Sequence, residues 1–420
     1  MANGIVKFLK KIEPEHGTLA HTLFDGFFTF AFTPDETTKA EGVQIRDGMD
    51  LKRLMFHVVI ALQLCYVFGT YNIGHQHFVA LGEYTGFMEG FFPKLAFGLV
   101  KLLPLFIVSN VVGLGVEFYY AYKKGHAIEE GFLVSGALIP LIMPPDLPLW
   151  ILAMSIIFAV VIGKEAFGGT GMNILNIALL SRVFIFFAYP TTISGDEVWV
   201  AGFDNHAVVG ATSEYGFAFN WIVNPLFEML GMDPFVAGKP IVDGWTGATP
   251  LGLAAKDGWE AVTNVYSESQ MFWGAIPGSI GETSAPFVLF GTVFLIVTKV
   301  ADWRIIVSGI IGCIFMGMTL NAWGATPFME VPWVDHLIMG SFLFAITFMA
   351  TDPVSASSTP TGKWIYGFLI GALGLIIRVL NPAYPEGWML AILFMNVFAP
   401  LIDHYVLEAN ISRRLKRATA

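Results

Sequence analysis

Apolar residues are grouped along this chain in long blocks that polar segments separate. Ten such blocks can be marked, several of them near the roughly 20 residues that a helix needs to cross a bilayer. They lie at 53–73, 97–122, 130–143, 148–164, 173–190, 284–300, 303–321, 334–350, 364–380 and 387–407. The pattern predicts an all-α polytopic membrane protein with about ten transmembrane helices.

The positions of the 23 Lys and Arg residues predict how these helices are oriented. With the N-terminus in the cytoplasm, every inner connection carries a positive residue, as cytoplasmic loops generally do. The exceptions are few: Lys94, Lys101, Lys239 and Lys256 lie outside or near the outer boundary, and Arg182 and Arg378 lie within spans. Both termini are therefore expected on the cytoplasmic side.

One long outer connection divides the spans into five before it and five after it. The predicted regions are an N-terminal extension 1–52, a first half 53–190, the connection 191–283, a second half 284–407 and a basic tail 408–420. Within the extension, the stretch Phe24–Phe32 is too short to span and is expected at the interface or on a partner. Halves with an odd number of spans must have opposite orientations, which predicts two inverted five-helix repeats.

Proline interrupts a short span at matching places in the two halves. Pro144-Pro145-Asp146 follows the third span, and Thr351-Asp352-Pro353 follows the eighth. Broken helices in inverted halves expose polar helix ends that can hold ions or small molecules near the membrane midplane. The alternative is that each proline only ends its helix.

Composition narrows the class of protein further. Hydrophobic residues make up 55% of the chain and charged residues 13%, with a mean hydropathy of +0.65. Because soluble domains carry roughly 25% charged residues, a soluble globular protein is excluded. The net charge of −10 argues against nucleic-acid binding. With only Cys65 and Cys313, neither a disulfide framework nor a Cys-ligated metal centre is available, so a redox cofactor would be held by other residues.

A distinctive motif lies in the outer connection, Asp243-Gly244-Trp245-Thr246-Gly247-Ala248-Thr249-Pro250-Leu251. Gly-Ala-Thr occurs three times in the chain, but only Thr249 has an Asp six residues before it. The block resembles the flavinylation motif of membrane subunits of the sodium-translocating NADH:quinone oxidoreductase and of the related Rnf complex. The resemblance implies that Thr249 carries covalent FMN through a phosphoester installed by a flavin transferase, with Asp243 taking part. The alternative is a solvent-exposed glycine-rich turn.

Other segments resemble the NqrB/RnfD family of membrane subunits, and in particular its members from the sodium-translocating complex. These segments are spread along the sequence, so the resemblance covers essentially the whole chain. They are Gly168–Asn176, Phe186–Pro190, Ile276–Glu282, Thr351–Ser357 and Asn381–Gly387. The extension before the first span favours the NqrB type over the Rnf relative, which normally begins close to its first span.

The resemblance implies a second, non-covalent flavin. Asn173 and Asn176 are three residues apart and are expected on one helix face after a glycine-rich break, where their amides could hydrogen-bond a riboflavin ring. Asp352, from the inverted partner element, is expected to contact the same riboflavin. The alternative is that the amides cap the broken helix, and capping and binding are compatible.

Carboxylates within or beside spans are costly and therefore candidates for function. Matching positions in the family make Glu117, Asp352 and Asp403 candidates for the Na⁺ pathway, whereas Glu117 and Asp403 could also simply reach headgroup water. The resemblance places a quinone site near Gly113, although packing alone would equally account for glycine there. No metal site and no catalytic acid or base is predicted on this chain.

The function that the resemblance implies is electron transfer from covalent FMN through riboflavin to quinone, coupled to Na⁺ export. Its partners would be the other subunits of a six-subunit complex in the bacterial inner membrane, and these would oxidise NADH, since the chain has no dinucleotide fingerprint. One alternative is an Rnf-type subunit that exchanges electrons with ferredoxin. Another is a transporter or channel with no redox role.

Overall fold

The computed structural model describes residues 51–124, 131–201, 247–381 and 386–418, together with some residues between 11 and 28. All regular structure within these ranges is helical, which confirms the all-α prediction. Most of the extension 1–52, most of Phe24–Phe32 and the motif residue Asp243 lie outside the described residues.

The first half contains five described helices. They are α1 (Leu51–Ala80), α2 (Phe91–Lys124), α3 (Phe132–Ile142), α4 (Leu149–Gly163) and α5 (Ile177–Ala188). The break before α5 has a local cause, because Gly168, Gly169 and Gly171 adopt positive φ angles of 124°, 111° and 85°, which side-chain-bearing residues rarely adopt.

Three short helices lie in the described part of the outer connection, and the second half follows. The short helices are α6 (Pro250–Asp257), α7 (Trp259–Val265) and α8 (Glu268–Trp273). The second half contains α9 (Ala285–Val297), α10 (Trp303–Trp323), α11 (Asp335–Ile338), α12 (Phe342–Phe344, continuing as a π-helical turn over Ala345–Met349), α13 (Pro360–Leu380) and α14 (Trp388–Ala418).

Six of the described helices are long and apolar enough to cross a membrane, which confirms a polytopic membrane protein. They are α1, α2, α4 with the short turn after it, α10, α13 and α14. α3, α5 and α9 are apolar but shorter, with 11, 12 and 13 residues. At 1.5 Å per residue, such helices cover only about half of the hydrocarbon core.

The structure corrects one expectation about the break before α5. Asn173 and Asn176 do not share a helix face, because α5 begins only at Ile177. Asn176 is its N-cap, and its side-chain oxygen accepts a hydrogen bond from the Leu179 backbone N–H at 3.2 Å. The helix starts later than the apolar pattern suggests because this cap satisfies a backbone group at the true N-terminus.

The two halves have similar helix contacts and meet through equivalent helices. In the first half α2 packs on α4 and α4 on α5; in the second half α10 packs on α13 and α13 on α14. Between the halves, α1 contacts α9 and α5 contacts α14. The first helix of one half therefore contacts the first helix of the other, and the last helix contacts the last. Contacts between equivalent elements are what a two-fold relation between repeats produces.

Glycines allow a very close helix contact between α10 and α13. A Cβ atom placed on Gly371 would lie 2.0 Å from the carbonyl oxygen of Gly309, and one on Gly312 would lie 2.1 Å from that of Phe368. Any larger residue would force the backbones apart, so these helices form a tightly packed pair of the kind that small residues promote in membranes.

Candidate functional site

Thr249 lies at the N-terminus of α6, where its side chain has a structural role. Its Oγ1 accepts a hydrogen bond from the Gly252 backbone N–H at 3.0 Å, and Pro250 follows at the first helical position. Threonine as N-cap with proline next to it is a favoured helix start. Thr249 is only 9% exposed and Gly247 is also buried, so this segment is not a solvent-exposed turn.

The carboxylate of Asp196 contacts Thr249 from a distant part of the sequence. The Thr249 hydroxyl donates to Asp196 Oδ1 at 2.9 Å, and the Thr249 backbone N–H donates to the same oxygen at 3.3 Å. Gly252 makes this approach possible, since a Cβ atom there would lie 1.9 Å from Asp196 Oδ1. Sequence reasoning missed Asp196, because it precedes Thr249 by 53 residues and no periodic pattern joins them.

Two further side chains surround this contact. Lys256 Nζ lies 3.0 Å from Asp196 Oδ2, but its side chain is 71% exposed, so the pair contributes little to stability. The Tyr266 hydroxyl donates to the carbonyl oxygen of Ala248 at 2.8 Å. Burial and the nearby charge of Asp196 raise the pKa of Tyr266 to about 12, so it remains a neutral donor at physiological pH.

Thr249 and Asp196 border a cavity of 280 Å³ between α5, α6 and the segment before α9, which we name the outer cavity. Arg182 also lines this cavity, and its side chain is 1% exposed. The guanidinium pairs with Glu282 at 3.1 Å and with Glu386, and lies 5.6 Å from the centre of the Trp199 ring. These charges join α5 to the residues that precede α9 and α14, and so connect the two halves.

A second cavity, of 80 Å³, is lined by the residues predicted to bind riboflavin. Asn173, Asn176 and Asp352 all line it, together with residues of α1, α3 and α9. The Asn173 amide donates to the Leu175 carbonyl oxygen at 3.1 Å, and Asn176 caps α5. Asp352 accepts hydrogen bonds from the Val354 backbone N–H at 3.2 Å and the Ser355 hydroxyl at 2.8 Å. We name this space the inner cavity.

Glu117 and Gly113 lie near the inner cavity but do not line it. Glu117 is buried on α2 and pairs with Lys164, and Lys164 does line the cavity. A Cβ atom on Gly113 would lie 1.8 Å from the Phe132 ring, which also borders the cavity. The ring of Phe132 therefore fills the space at Gly113, as close helix packing would require.

Asp403 is separate from both cavities and holds the loop before α13. Its carboxylate accepts hydrogen bonds from the Ser357 hydroxyl at 2.7 Å, the Ser358 backbone N–H at 2.7 Å, and the Thr359 N–H and hydroxyl at 3.0 and 2.5 Å. Thr359 is in turn the N-cap of α13, with a hydrogen bond from the Gly362 N–H at 3.1 Å. Asp403 thus stabilises a helix start from a neighbouring helix.

Comparison with known proteins identifies the family. The family model described as NQR2, RnfD, RnfE family matches residues 38–412. The chain belongs to this family. A relative from Chromohalobacter salexigens is 40% identical over 99% of this chain and 97% of its own length, and one from Ectopseudomonas mendocina is 41% identical over 99% of both. A third, from Azotobacter vinelandii, is 41% identical over 94% of both. All three are named as the subunit designated B of the Na(+)-translocating NADH-quinone reductase.

In this member of the NQR2, RnfD, RnfE family, four of the candidate site residues border one of the two cavities. Thr249 borders the outer cavity, whereas Asn173, Asn176 and Asp352 meet at the inner cavity. Glu117 and Gly113 are one side chain removed from the inner cavity, and Asp403 lies apart from it. Asp243 lies outside the described residues.

Proposed function

We propose that this chain is the NqrB-type subunit of a Na⁺-translocating NADH:quinone oxidoreductase. It would receive electrons at covalent FMN on Thr249 and pass them through riboflavin to quinone, with Na⁺ export coupled to the transfer. The near-full-length similarity to relatives named for that reductase favours this complex over the Rnf complex. The observation that carries the flavin assignment is the Thr249 hydroxyl at the edge of a 280 Å³ cavity.

The residues around Thr249 suit a bound FMN. The small residues Gly247 and Ala248 precede the threonine, and the N-terminus of α6 offers backbone N–H groups and a positive dipole end to a phosphate. Trp199 and Phe186 give the outer cavity aromatic walls, and 280 Å³ is close to the lower end of small-molecule pockets, roughly 300 Å³. When bound, FMN would supply reversible electron transfer that the chain's own side chains lack.

The inner cavity suits riboflavin in its polar groups and less well in its size. The amides of Asn173 and Asn176 and the carboxylate of Asp352 can bond the donors and acceptors at the edge of a flavin ring. Its 80 Å³ is smaller than the roughly 300 Å³ at which small-molecule pockets begin, so side chains that line it, such as Met55, would have to move to admit a flavin ring.

Coupling to Na⁺ would use carboxylates near the electron path. Asp352 borders the inner cavity, where a carboxylate can hold a cation as electron arrival adds negative charge. Moving that cation against the membrane potential takes about 2.3 kcal/mol per 100 mV. Glu117 pairs with Lys164 and Asp403 accepts four hydrogen bonds, so either would exchange existing partners to bind Na⁺.

The chain would work as a multi-pass protein of the bacterial inner membrane with both termini in the cytoplasm. Its partners would be the other subunits of a six-subunit complex, quinone, Na⁺ and, during maturation, a flavin transferase. NADH oxidation belongs to those partner subunits, since the sequence has no dinucleotide fingerprint.

In-gel flavin fluorescence tests the covalent assignment. The full chain, coexpressed with a flavin transferase, is expected to give a fluorescent band after denaturation, and Thr249→Val is expected to give none. Thr249→Ser is the matched control, because serine keeps both the hydroxyl and the helix cap. A dark wild-type band, or a fluorescent Thr249→Val band, would refute FMN at Thr249 and favour a transporter without a redox role.

Turnover in Na⁺ and in choline tests the ion pathway. Quinone reduction in the assembled complex is expected to be faster in Na⁺, and Glu117→Ala and Asp352→Ala are each expected to weaken that difference. Asp403→Ala reports whether a carboxylate outside the inner cavity also contributes. Unchanged Na⁺ dependence in a variant removes its residue from the pathway.

A further inference from the structure

The two hydrogen bonds of the Thr249 hydroxyl use its proton and one of its lone pairs. The proton points to Asp196 Oδ1 at 2.9 Å, and one lone pair accepts the Gly252 N–H at 3.0 Å. A hydroxyl oxygen has two lone pairs. The second can therefore form a new bond while the proton is already aimed at a carboxylate.

We propose that Asp196 is the general base for the attachment of FMN to Thr249. This chain, and not the flavin transferase, would then supply the group that takes the hydroxyl proton. The inference rests on the proposed function, because it presupposes that Thr249 is the attachment residue. It goes further in naming a residue outside the flavinylation motif as the proton acceptor.

The reaction is a phosphoryl transfer without change of oxidation state. The donor is a flavin dinucleotide, FAD, delivered by the transferase. The Thr249 oxygen forms a bond to the phosphorus of the FMN part, the phosphoanhydride bond breaks, and AMP leaves with the bonding electron pair. The proton of the hydroxyl passes to Asp196, which later releases it to water.

The geometry around Asp196 meets the requirements of a general base. Its oxygen lies 2.9 Å from the Thr249 hydroxyl, within the roughly 2.6–3.2 Å reach that proton transfer requires. Lys256 lies 3.0 Å from the other oxygen, Oδ2, so the two carboxylate oxygens have separate partners and Oδ1 remains directed at the hydroxyl. Both Asp196 and Thr249 border the outer cavity, so a flavin phosphate there can reach the hydroxyl.

Lys256 and Gly252 also suit the product. The new phosphodiester would carry a negative charge beside Asp196, and Lys256, whose Nζ lies 3.0 Å from Asp196 Oδ2, would place a positive charge next to that carboxylate. The Gly252 backbone N–H donates a hydrogen bond to Thr249 Oγ1, the oxygen to which the phosphate would be attached. The absence of a side chain at Gly252 leaves the room that the carboxylate occupies.

The test measures the rate of flavin attachment to the purified full-length chain, prepared without a flavin transferase. A saturating amount of transferase is added with FAD, and covalent flavin is followed by in-gel fluorescence. Asp196→Asn keeps an oxygen that can accept the Thr249 hydrogen bond but is a far weaker base. We expect attachment to slow by about 10²–10⁴-fold, the usual contribution of a general base.

Asp257→Asn is the matched control, because Asp257 is an exposed carboxylate on the same helix as Gly252, and its rate should match that of the wild type. Gly252→Ala is a second variant in case Asp196→Asn does not fold. Its methyl group displaces the Asp196 carboxylate, so it should also slow attachment at least tenfold.

A loss of less than tenfold in a folded Asp196→Asn or Gly252→Ala chain would overturn the role of Asp196 but not the assignment of Thr249 as the attachment residue. Wild-type chain that acquires no flavin, or Thr249→Val chain that does, would instead overturn the proposed function.

Discussion

Removing the charge of Arg182 should destabilise the protein strongly. The guanidinium is 1% exposed and pairs with Glu282, whose side chain is 2% exposed, and with Glu386, which is 13% exposed. Arg182→Leu leaves both carboxylates in place and takes away their common cation. Glu386 can reach some water, whereas Glu282 would be left as a buried carboxylate without its cation.

The size of the effect follows from the burial of the pair. Breaking a buried ion pair by removing one partner costs about 3–5 kcal/mol, because the remaining charge is uncompensated. Replacing both members by apolar residues is often neutral or even stabilising. Arg182→Leu is therefore expected to lose about 3–5 kcal/mol of the free energy of unfolding, and the double variant Arg182→Leu/Glu282→Leu is expected to recover much of that loss.

The assay is the unfolding of the purified chain in mixed micelles as the fraction of denaturing detergent rises. Glu408→Gln serves as the control, because the Glu408 carboxylate lies 3.9 Å from His404 Nε2 and the two side chains are 64% and 69% exposed. Exposed pairs contribute about 0–1 kcal/mol, so this variant should unfold almost like the wild type. The reasoning is refuted if Arg182→Leu unfolds like the control, or if the double variant is no more stable than Arg182→Leu alone.

Three further variants test other parts of the structure. Gly113→Ala should push the Phe132 ring toward the inner cavity and lower the amount of non-covalent flavin released on denaturation. Gly115→Ala is the control, because a Cβ atom there meets no atom within 4 Å. Equal flavin content in the two variants would contradict this. Asp403→Ala should cost about 1–3 kcal/mol of unfolding free energy equally in Na⁺ and in choline, because loop donors lose their acceptor; unchanged stability would rule out its holding role. For Tyr266, the folded state keeps its proton from pH 10 to about 12 while the unfolded state loses it, so stability should fall with rising pH in that window; Tyr266→Phe should abolish this part of the pH dependence, and an unaltered curve would contradict the assignment.

The sequence predicted the helices well and some of their ends poorly. The apolar pattern ends the first span at 73, but α1 continues to Ala80 through polar residues that are buried. Gln76 donates to Asn72 Oδ1 at 3.2 Å, and Asn72 in turn donates to the Ile276 carbonyl oxygen at 3.0 Å. His77 forms a hydrogen bond with the carbonyl oxygen of Ala201 at 2.8 Å. Hydrogen bonds to residues far away in the sequence satisfy these buried polar side chains, so the helix can continue through them. No local sequence pattern indicates those hydrogen bonds.

Two other helices extend beyond the predicted apolar spans, because their ends contain basic residues that interrupt the hydrophobic pattern. α2 begins at Phe91 and not at 97, because Lys94 is buried and donates to the Gly86 carbonyl oxygen at 2.6 Å. α14 continues past 407 to Ala418 as an exposed, charged helix. Hydropathy marks the apolar part of a helix, whereas hydrogen bonding along the backbone decides where it ends.

The candidate sites were predictable to different degrees. Motif resemblance singled out Thr249 and three of the residues that line the inner cavity, Asn173, Asn176 and Asp352, since their motifs are visible in the sequence. Asp196 and Arg182 gained their significance only from the fold, because their partners are 53 and 100 or more residues away. A residue whose partners come from other segments has no local signature.

The wall of the outer cavity has a consequence for the order of biogenesis. It combines Arg182, Thr249, Glu282 and Glu386, which leave the ribosome at widely separated times. The cavity is therefore complete only after the last helix has been inserted and the two halves have met. A flavin transferase that needs this cavity would act on finished chains and not on nascent ones, so the covalent flavin would mark chains that have folded completely.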